Sequence, residues 1–420
     1  MATHIDDQFE PFRDTGFTHT PGGHKILGAF IATTDAQESA WVLSRAPRME
    51  DFFTRLLKLD RQVVYALFRY CGLPRWNHII RCHAPEVTMP ANELVDKYAR
   101  RCLMTLLGCG SGAGNLLFDN PLFTGDLLAS IPFSELAPLA WKAATEGVDG
   151  VANAPMQHDL VAAHLVATRA GLIPTSGASP VARVHASLLL DVGSRRWLEC
   201  YPSRAEYAMR RMEYEIALRA RYLLPPSNEE THYCVCGRQF EPELFVVHAL
   251  DCNKVRGYTW ASRHALVKRV FKSVLRQYGF NPDEAEPRFF GGGTGPDVCF
   301  LLGGRLTLVD VVVTNPLADT YVDAELASPG ATLLRAEKEK DRRSIAPSEV
   351  RRMDFFPLAL TTFGNLGPRS TALLHRCSSF TADPPGFMKH MGMALSIAVQ
   401  IGNANIIKSA KALWTDFGVR

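Results

Sequence analysis

Two apolar runs joined by Gly303-Gly304 constrain this chain more than any other feature. Val298 to Leu302 and Arg305 to Val313 have the composition of strands, and a Gly-Gly pair between such runs is a two-residue hairpin signal. With that loop Leu302 faces Arg305, and stepping back along both runs sets Asp297 directly opposite Asp310. Directly opposed side chains have Cβ atoms ~4.5–5.5 Å apart. The surrounding residues are apolar on both faces, as in a central strand. Two carboxylates placed there repel unless a cation lies between them, and a hard ion such as Mg²⁺ prefers such oxygen ligands. Glu286, on the preceding segment, could supply a third. The other reading is that Asp297 caps the strand start and Asp310 pairs with an arginine. A one-residue slip in register would send the two side chains to opposite faces.

The rest of the chain bounds what surrounds this hairpin. Its 420 residues, 47% hydrophobic and 21% charged, suit a soluble protein with two or three cores. No apolar run is long enough to cross a bilayer, and the first residues lack a signal-peptide pattern. The ten cysteines lie mostly in apolar segments, which fits buried thiols in a reducing compartment. Gly23 to Gly28 reads as a small strand before a loop. Up to about residue 230 the pattern is helical, with one long helix from Met49 to Leu67, a break at Cys71 to Pro74, and further helices near 136–146, 156–170 and 207–221. Residues 174–180 read as a linker. Beyond Pro225-Pro226 come a Cys/His cluster, a basic helix from Trp260 to Tyr278, the hairpin, a charged helix from Asp323 to Arg343, a strand from Pro357 to Phe363, and a helical pair from Phe387 to Phe417.

Cys234, Cys236, His248 and Cys252 have the spacing of a zinc site, four soft or borderline donors with His248 and Cys252 on one helical face. The first pair is tighter than usual, and two unrelated thiols beside a core histidine remain the alternative. Between Asn253 and Phe280 there are seven Lys/Arg and no acidic residue. Lys268, Lys272 and Arg276, spaced by four, form a stripe suited to phosphates or to solvent. Arg263 and His264 could reach a phosphate or cap packing. The net charge of +3 is too small to argue nucleic-acid binding by itself. On the charged helix, Lys340 and then Lys338 are the choices for a cation at the aspartate pair.

The order Cys-x-Cys, His-x3-Cys, Arg263-His264, Glu286, Pro296-Asp297, Asp310 and a later lysine resembles the C-terminal region of site-specific non-LTR retrotransposon proteins. Those carry a restriction-like endonuclease of the PD-(D/E)xK type after a CCHC knuckle. The twelve residues between the two aspartates fit, and Phe356 to Leu358 with Thr362 to Gly364 resembles the strand after the lysine helix. More loosely, Lys25 to Gly28 is similar to the end of a reverse-transcriptase palm. Phe68 to Pro74 with Ile80 to Pro85 is similar to its thumb, and Ala217 to Leu223 to the segment entering the knuckle. Two departures stand out. The Tyr/Phe-x-Asp-Asp polymerase hairpin is missing, Ile5-Asp6-Asp7 being only a superficial likeness. Val312 occupies the lysine place of (D/E)xK, and the tyrosine that follows in the family falls at Ser344 or is absent.

The resemblance implies an α+β chain. A palm-end remnant spans 1–35, a helical thumb-like region 36–230 and a zinc knuckle 231–256. An α/β restriction-endonuclease-like domain spans 257–380, and C-terminal helices 381–420. It implies Mg²⁺-dependent nicking of DNA by Asp297, Asp310 and Glu286 with Lys340 or Lys338, in the family a step that primes reverse transcription. Structural Zn²⁺ would sit on the knuckle, and Arg263, His264, Lys268, Lys272 and Arg276 on DNA. A nuclear location, DNA and possibly element RNA as partners, no membrane and no polymerase activity follow. The alternatives are an inactive nucleic-acid-binding or domesticated remnant, or a zinc-stabilised protein-interaction module.

Overall fold

The computed structural model describes residues 23–26, 29–32, 34–109, 133–148, 178–229, 232–255, 259–284, 295–350 and 352–416. Glu286, Ile5 to Asp7, the helix expected at 156–170 and most of the expected linker at 174–180 lie outside them. The chain is α+β and mostly helical. It divides into two units. The first holds 1–58, 68–102 and 128–166; the second holds 59–67, 103–127 and 167–420. A boundary at residue 230 therefore falls inside the second unit.

In the first unit, β1 (His24–Ile26) pairs antiparallel with β2 (Ala29–Ile31). Helices α1 (Asp35–Leu43) and α2 (Ala46–Leu56) follow, the first capped by Thr34, whose hydroxyl accepts from the Gln37 amide. The single helix expected from Met49 to Leu67 is broken: α3 (Arg61–Leu67), which belongs to the second unit, starts anew, with Asp60 accepting from the amide of Gln62. At Phe68–Gly72 the chain does not leave the helical path. It widens into a π-turn, and Pro74 then sits in the first turn of α4 (Leu73–Cys82), where its missing N–H costs nothing. Helix α5 (Pro85–Leu107) and helix α6 (Phe133–Val148) complete this stretch. Asp96 of α5 accepts from the amides of Phe133 and Ser134 at the start of α6.

The second unit is organised by α14 (Pro384–Asp416), one 33-residue helix where the pattern predicts a helical pair. Gly392 and Gly402 do not break it, because a glycine costs only ~1 kcal/mol against alanine. Burial of Phe387, Met391, Leu395, Ile397, Val399, Ile406 and Ile407 outweighs that. Around it pack α8 (Arg211–Arg221), the 3₁₀ stretch Val192–Glu199, α9 (Pro242–Asp251) and α10 (Ala261–Gln277). Helix α7 (Pro180–Leu190) leads into that 3₁₀ stretch. Two short strands, β3 (His232–Tyr233) and β4 (Gln239–Phe240), precede α9.

The sheet that carries the aspartates has the order β5-β6-β7. β5 (Val298–Leu302) and β6 (Arg305–Thr314) form the hairpin, with Leu302 opposite Arg305 and Val298 opposite Val309. Gly303 and Gly304 take φ of 58° and 78°, the left-handed conformation such a turn needs at both positions. The charged segment after β6 forms two helices, α11 (Val322–Ala327) and α12 (Ala331–Val350), separated at Pro329-Gly330. Strand β7 (Asp354–Thr361) returns parallel to β6, and α13 (Pro368–Ser378) packs on it. The β6–α12–β7 crossover thus covers the sheet with a helix, as parallel pairing demands. On the opposite face Phe271 of α10 meets Phe300 edge-on.

Candidate functional site

The register of the hairpin places Asp297 one step beyond the Val298–Val309 pair, opposite Asp310. Asp297 is buried, 8% exposed, and Asp310 is mostly so. The two carboxyl groups hydrogen-bond to each other. Burial pushes Asp310 up to about 6, with the hydrogen bond and charge of Asp297 adding to this against the pull of Lys340. Asp297 moves the other way. Burial opposes its ionisation, but the hydrogen bond and charge of His264, the bond with Asp310 and the Val311 amide hold it below its ordinary value. The two groups are thus driven apart: Asp310 gives up its proton only as pH rises through about 6, after Asp297 has already lost its own.

Two helices reach the pair. From α12, Lys340 Nζ lies 2.9 Å from Asp310 Oδ1. Lys338 is exposed and lines a surface depression with Leu334, Arg335, Glu339 and Arg342. Residues two apart on a helix point ~200° apart, so only one of these lysines can face the sheet. From α10, His264 Nε2 lies 3.0 Å from Asp297 Oδ2 and 3.2 Å from the carbonyl of Val311. Both partners accept, so Nε2 carries the proton, and these bonds, the carboxylate first, raise the affinity of His264 for a second one. Asp297 Oδ2 also accepts from the amide of Val311 at 2.7 Å. Lys268 Nζ, one turn along from His264, stands 3.9 Å from Asp297 Oδ1. Asp297, Asp310, Lys340, His264 and Lys268 therefore share one cluster. The i, i+4 spacing of His264 and Lys268 is the sequence signal for the last two.

The cationic stripe of α10 is not what the spacing predicts. Lys272 is buried and donates to the carbonyls of Asp283 and Glu284. Arg276 pairs with Glu284. Arg263 is buried at 3% exposed and donates to Asn403 Oδ1, and burial lowers its affinity for a proton to a value of about 10. The side chains of Arg263 and Lys272 hold the helix to α14 and to the segment after α10. Helical spacing alone cannot tell a solvent-facing cation from one that caps buried carbonyls.

The Cys/His residues do converge. Cys234 precedes the turn between β3 and β4, Cys236 lies in it, His248 is on α9, and Cys252 follows that helix. Their donor atoms all lie within 4.8 Å of one another. Cys234 Sγ to Cys252 Sγ is 3.6 Å and Cys236 Sγ to His248 Nε2 is 3.2 Å. Ligands ~2.0–2.3 Å from a tetrahedral ion are separated by ~3.5–3.8 Å, so the four residues fit zinc. Without an ion, burial pushes the Cys234 thiol up to about 12, and burial, with Arg238 nearby, keeps His248 neutral more readily than usual. A bound cation would reverse the first and use the second. The His248 ring stacks on Phe240 at 4.1 Å, which fixes its plane.

Comparison with protein-family models gives no match, and no curated protein matches the chain.

Proposed function

We propose that the second unit is a Mg²⁺-dependent DNA endonuclease of the restriction-like type, in a chain related to non-LTR retrotransposon proteins and lacking polymerase activity. One observation carries the reading: two mostly buried carboxylates, Asp297 and Asp310, stand opposite one another at the hairpin with a lysine ammonium 2.9 Å from one of them. A fold that buries such a pair without use bears its desolvation cost for nothing. The donor set, two hard oxygens with one excess charge, is the kind that takes Mg²⁺.

Bound at these carboxylates, Mg²⁺ would lower the pKa of a water and offset phosphate charge. The cation would favour the ionised form of both carboxylates. Lys340 Nζ would then be released in part from Asp310 and could orient the attacking water or meet the phosphate. His264 would keep Asp297 ionised and turned toward Asp310. Lys268, beside Asp297, is the DNA contact on α10 that best fits this arrangement. The Cys/His knuckle would hold structural Zn²⁺ and present α10 and its neighbours to DNA, in keeping with a nuclear role and with element RNA as a second ligand.

The test is nicking of supercoiled plasmid by zinc-loaded protein in Mg²⁺. Asp297→Ala should lose nicking while retaining salt-dependent DNA binding. Persistent nicking by that variant would show that the chemistry lies elsewhere.

A further inference from the structure

A line of buried polar side chains runs behind the carboxylate pair. It starts at Arg263, one residue before His264. Arg263 Nη1 donates to Asn403 Oδ1 at 2.9 Å. Among the described residues this is its one hydrogen-bond partner, and Trp260 stacks on its guanidinium. The aliphatic stem lies flat on α14 at Gly402, where any side-chain carbon would collide with Arg263 Cγ. Asn403 Nδ2 in turn donates to the carbonyl of Thr362, just past β7, at 2.6 Å, and Gln400 donates to the same oxygen. The Thr362 amide donates to the carbonyl of Thr314 at the end of β6. Its hydroxyl donates to Asn315 Oδ1. Asn315 Nδ2 reaches the carbonyl of Val247, next to the knuckle ligand His248. Arg263, Asn315, Thr362, Gln400 and Asn403 are all at most 7% exposed.

One amide therefore ties α10 to the C-terminal ends of β6 and β7. Asp310 stands on β6, and His264, on α10, must meet both Asp297 and the Val311 carbonyl with a single N–H. That shared bond is sensitive to small shifts of α10 against the sheet. Hydrophobic packing resists separation of the two elements but does little to fix their sliding; directional bonds to a buried amide do.

We propose that Asn403, with Arg263 and Thr362, is a positioning unit for the carboxylate pair: it fixes α10 against β6 and so holds His264 on Asp297. The inference rests on reading Asp297 and Asp310 as the metal-binding nuclease site. Asn403 touches no substrate in this scheme. It acts through Arg263 and His264.

The experiment uses the full zinc-loaded chain with ¹⁵N-labelled histidine, His264 being assigned by its loss in His264→Gln. The double variant Arg263→Met with Asn403→Leu replaces both partners by apolar side chains of similar size. Its His264 Nε2 resonance is expected to move to that of an unbonded imidazole. Mn²⁺ affinity, measured as a metal-only probe, should fall at least tenfold, and kcat for nicking should fall with little change in KM. Arg263→Lys, which keeps a donor on the same stem, should recover most of the bonded resonance. Asn403→Asp keeps the bond to Arg263 but cannot donate to Thr362, and should shift the resonance the same way as the double variant. This second route decides the matter if the double variant does not fold. An unchanged His264 resonance in either folded variant overturns the proposal. If wild-type protein fails to nick, or Asp297→Ala still nicks, the nuclease reading falls while the resonance still decides whether Asn403 positions His264.

Discussion

The carboxylate pair makes a quantitative prediction about stability in the absence of divalent cation. Asp310 is held at about 6 in the folded protein against 3.8 for an ordinary aspartate. A group whose folded value is raised favours folding at low pH, and that contribution is lost as pH rises through the folded value. Below pH ~4 it is fully present; above pH ~6 it is gone. At 1.36 kcal/mol per unit, the swing is about 3 kcal/mol at most, less whatever the partial exposure of Asp310 screens. Asp297 runs the other way. Its folded value is depressed, so its contribution is present above pH ~4 and lost only in stronger acid. Asp310→Asn keeps a donor for Asp297 and an acceptor for Lys340 but cannot ionise. The variant should match wild type near pH 4 and exceed it by about 2–3 kcal/mol at pH 8. The measurement is denaturant-dependent hydrogen exchange of peptides from β5 and β6, in buffer freed of Mg²⁺ without a chelator that would also strip zinc. Addition of Mg²⁺ should then stabilise wild type alone, by about 2.7 kcal/mol at a hundred times its dissociation constant. An Asp310→Asn variant no more stable than wild type at pH 8 would refute the claim that the pair is electrostatically frustrated.

The lysine assignment separates two neighbours: Lys340→Met should lower nicking by about two orders of magnitude, in the range of a lost electrostatic donor, whereas Lys338→Met, on the exposed side of α12, should leave it within a factor of about two. The knuckle should hold one zinc per chain, as released by a thiol reagent and counted with a colorimetric chelator, and Cys252→Ala should reduce this to near zero and expose residues 232–255 to protease first. Gly303→Ala and Gly304→Ala each put a side chain at positive φ, a backbone penalty of ~1–2 kcal/mol. The one further contact, with the ring tip of the exposed Phe380 at Gly303, is relieved by a swing of that ring, so the two variants should lower the unfolding midpoint by similar amounts, and a Gly304→Ala variant as stable as wild type would contradict the left-handed turn.

What could be foreseen along the chain divides by the range of the interaction. The hairpin was legible because its determinants are local: two glycines fix the turn, the turn fixes the register, and the register alone sets Asp297 against Asp310. The knuckle was legible for the same reason, its four ligands lying within nineteen residues. Lys340 was legible only as one of two candidates, since choosing between residues two apart on a helix requires knowing which face meets the sheet. The stripe of α10 was misleading because periodicity reports a face without reporting what covers it: Lys268 faces the carboxylates, Lys272 caps carbonyls, and Arg263 lies under α14. The polar residues that brace the site, Asn315, Thr362 and Asn403, are separated by up to 88 positions and form no motif. Each looks alone like an ordinary loop or helix residue, and each is expensive to bury unless the others are in place. Their mutual satisfaction is therefore a stronger constraint on where α10 sits than any pattern within α10 itself, and it is a constraint that only the folded chain expresses.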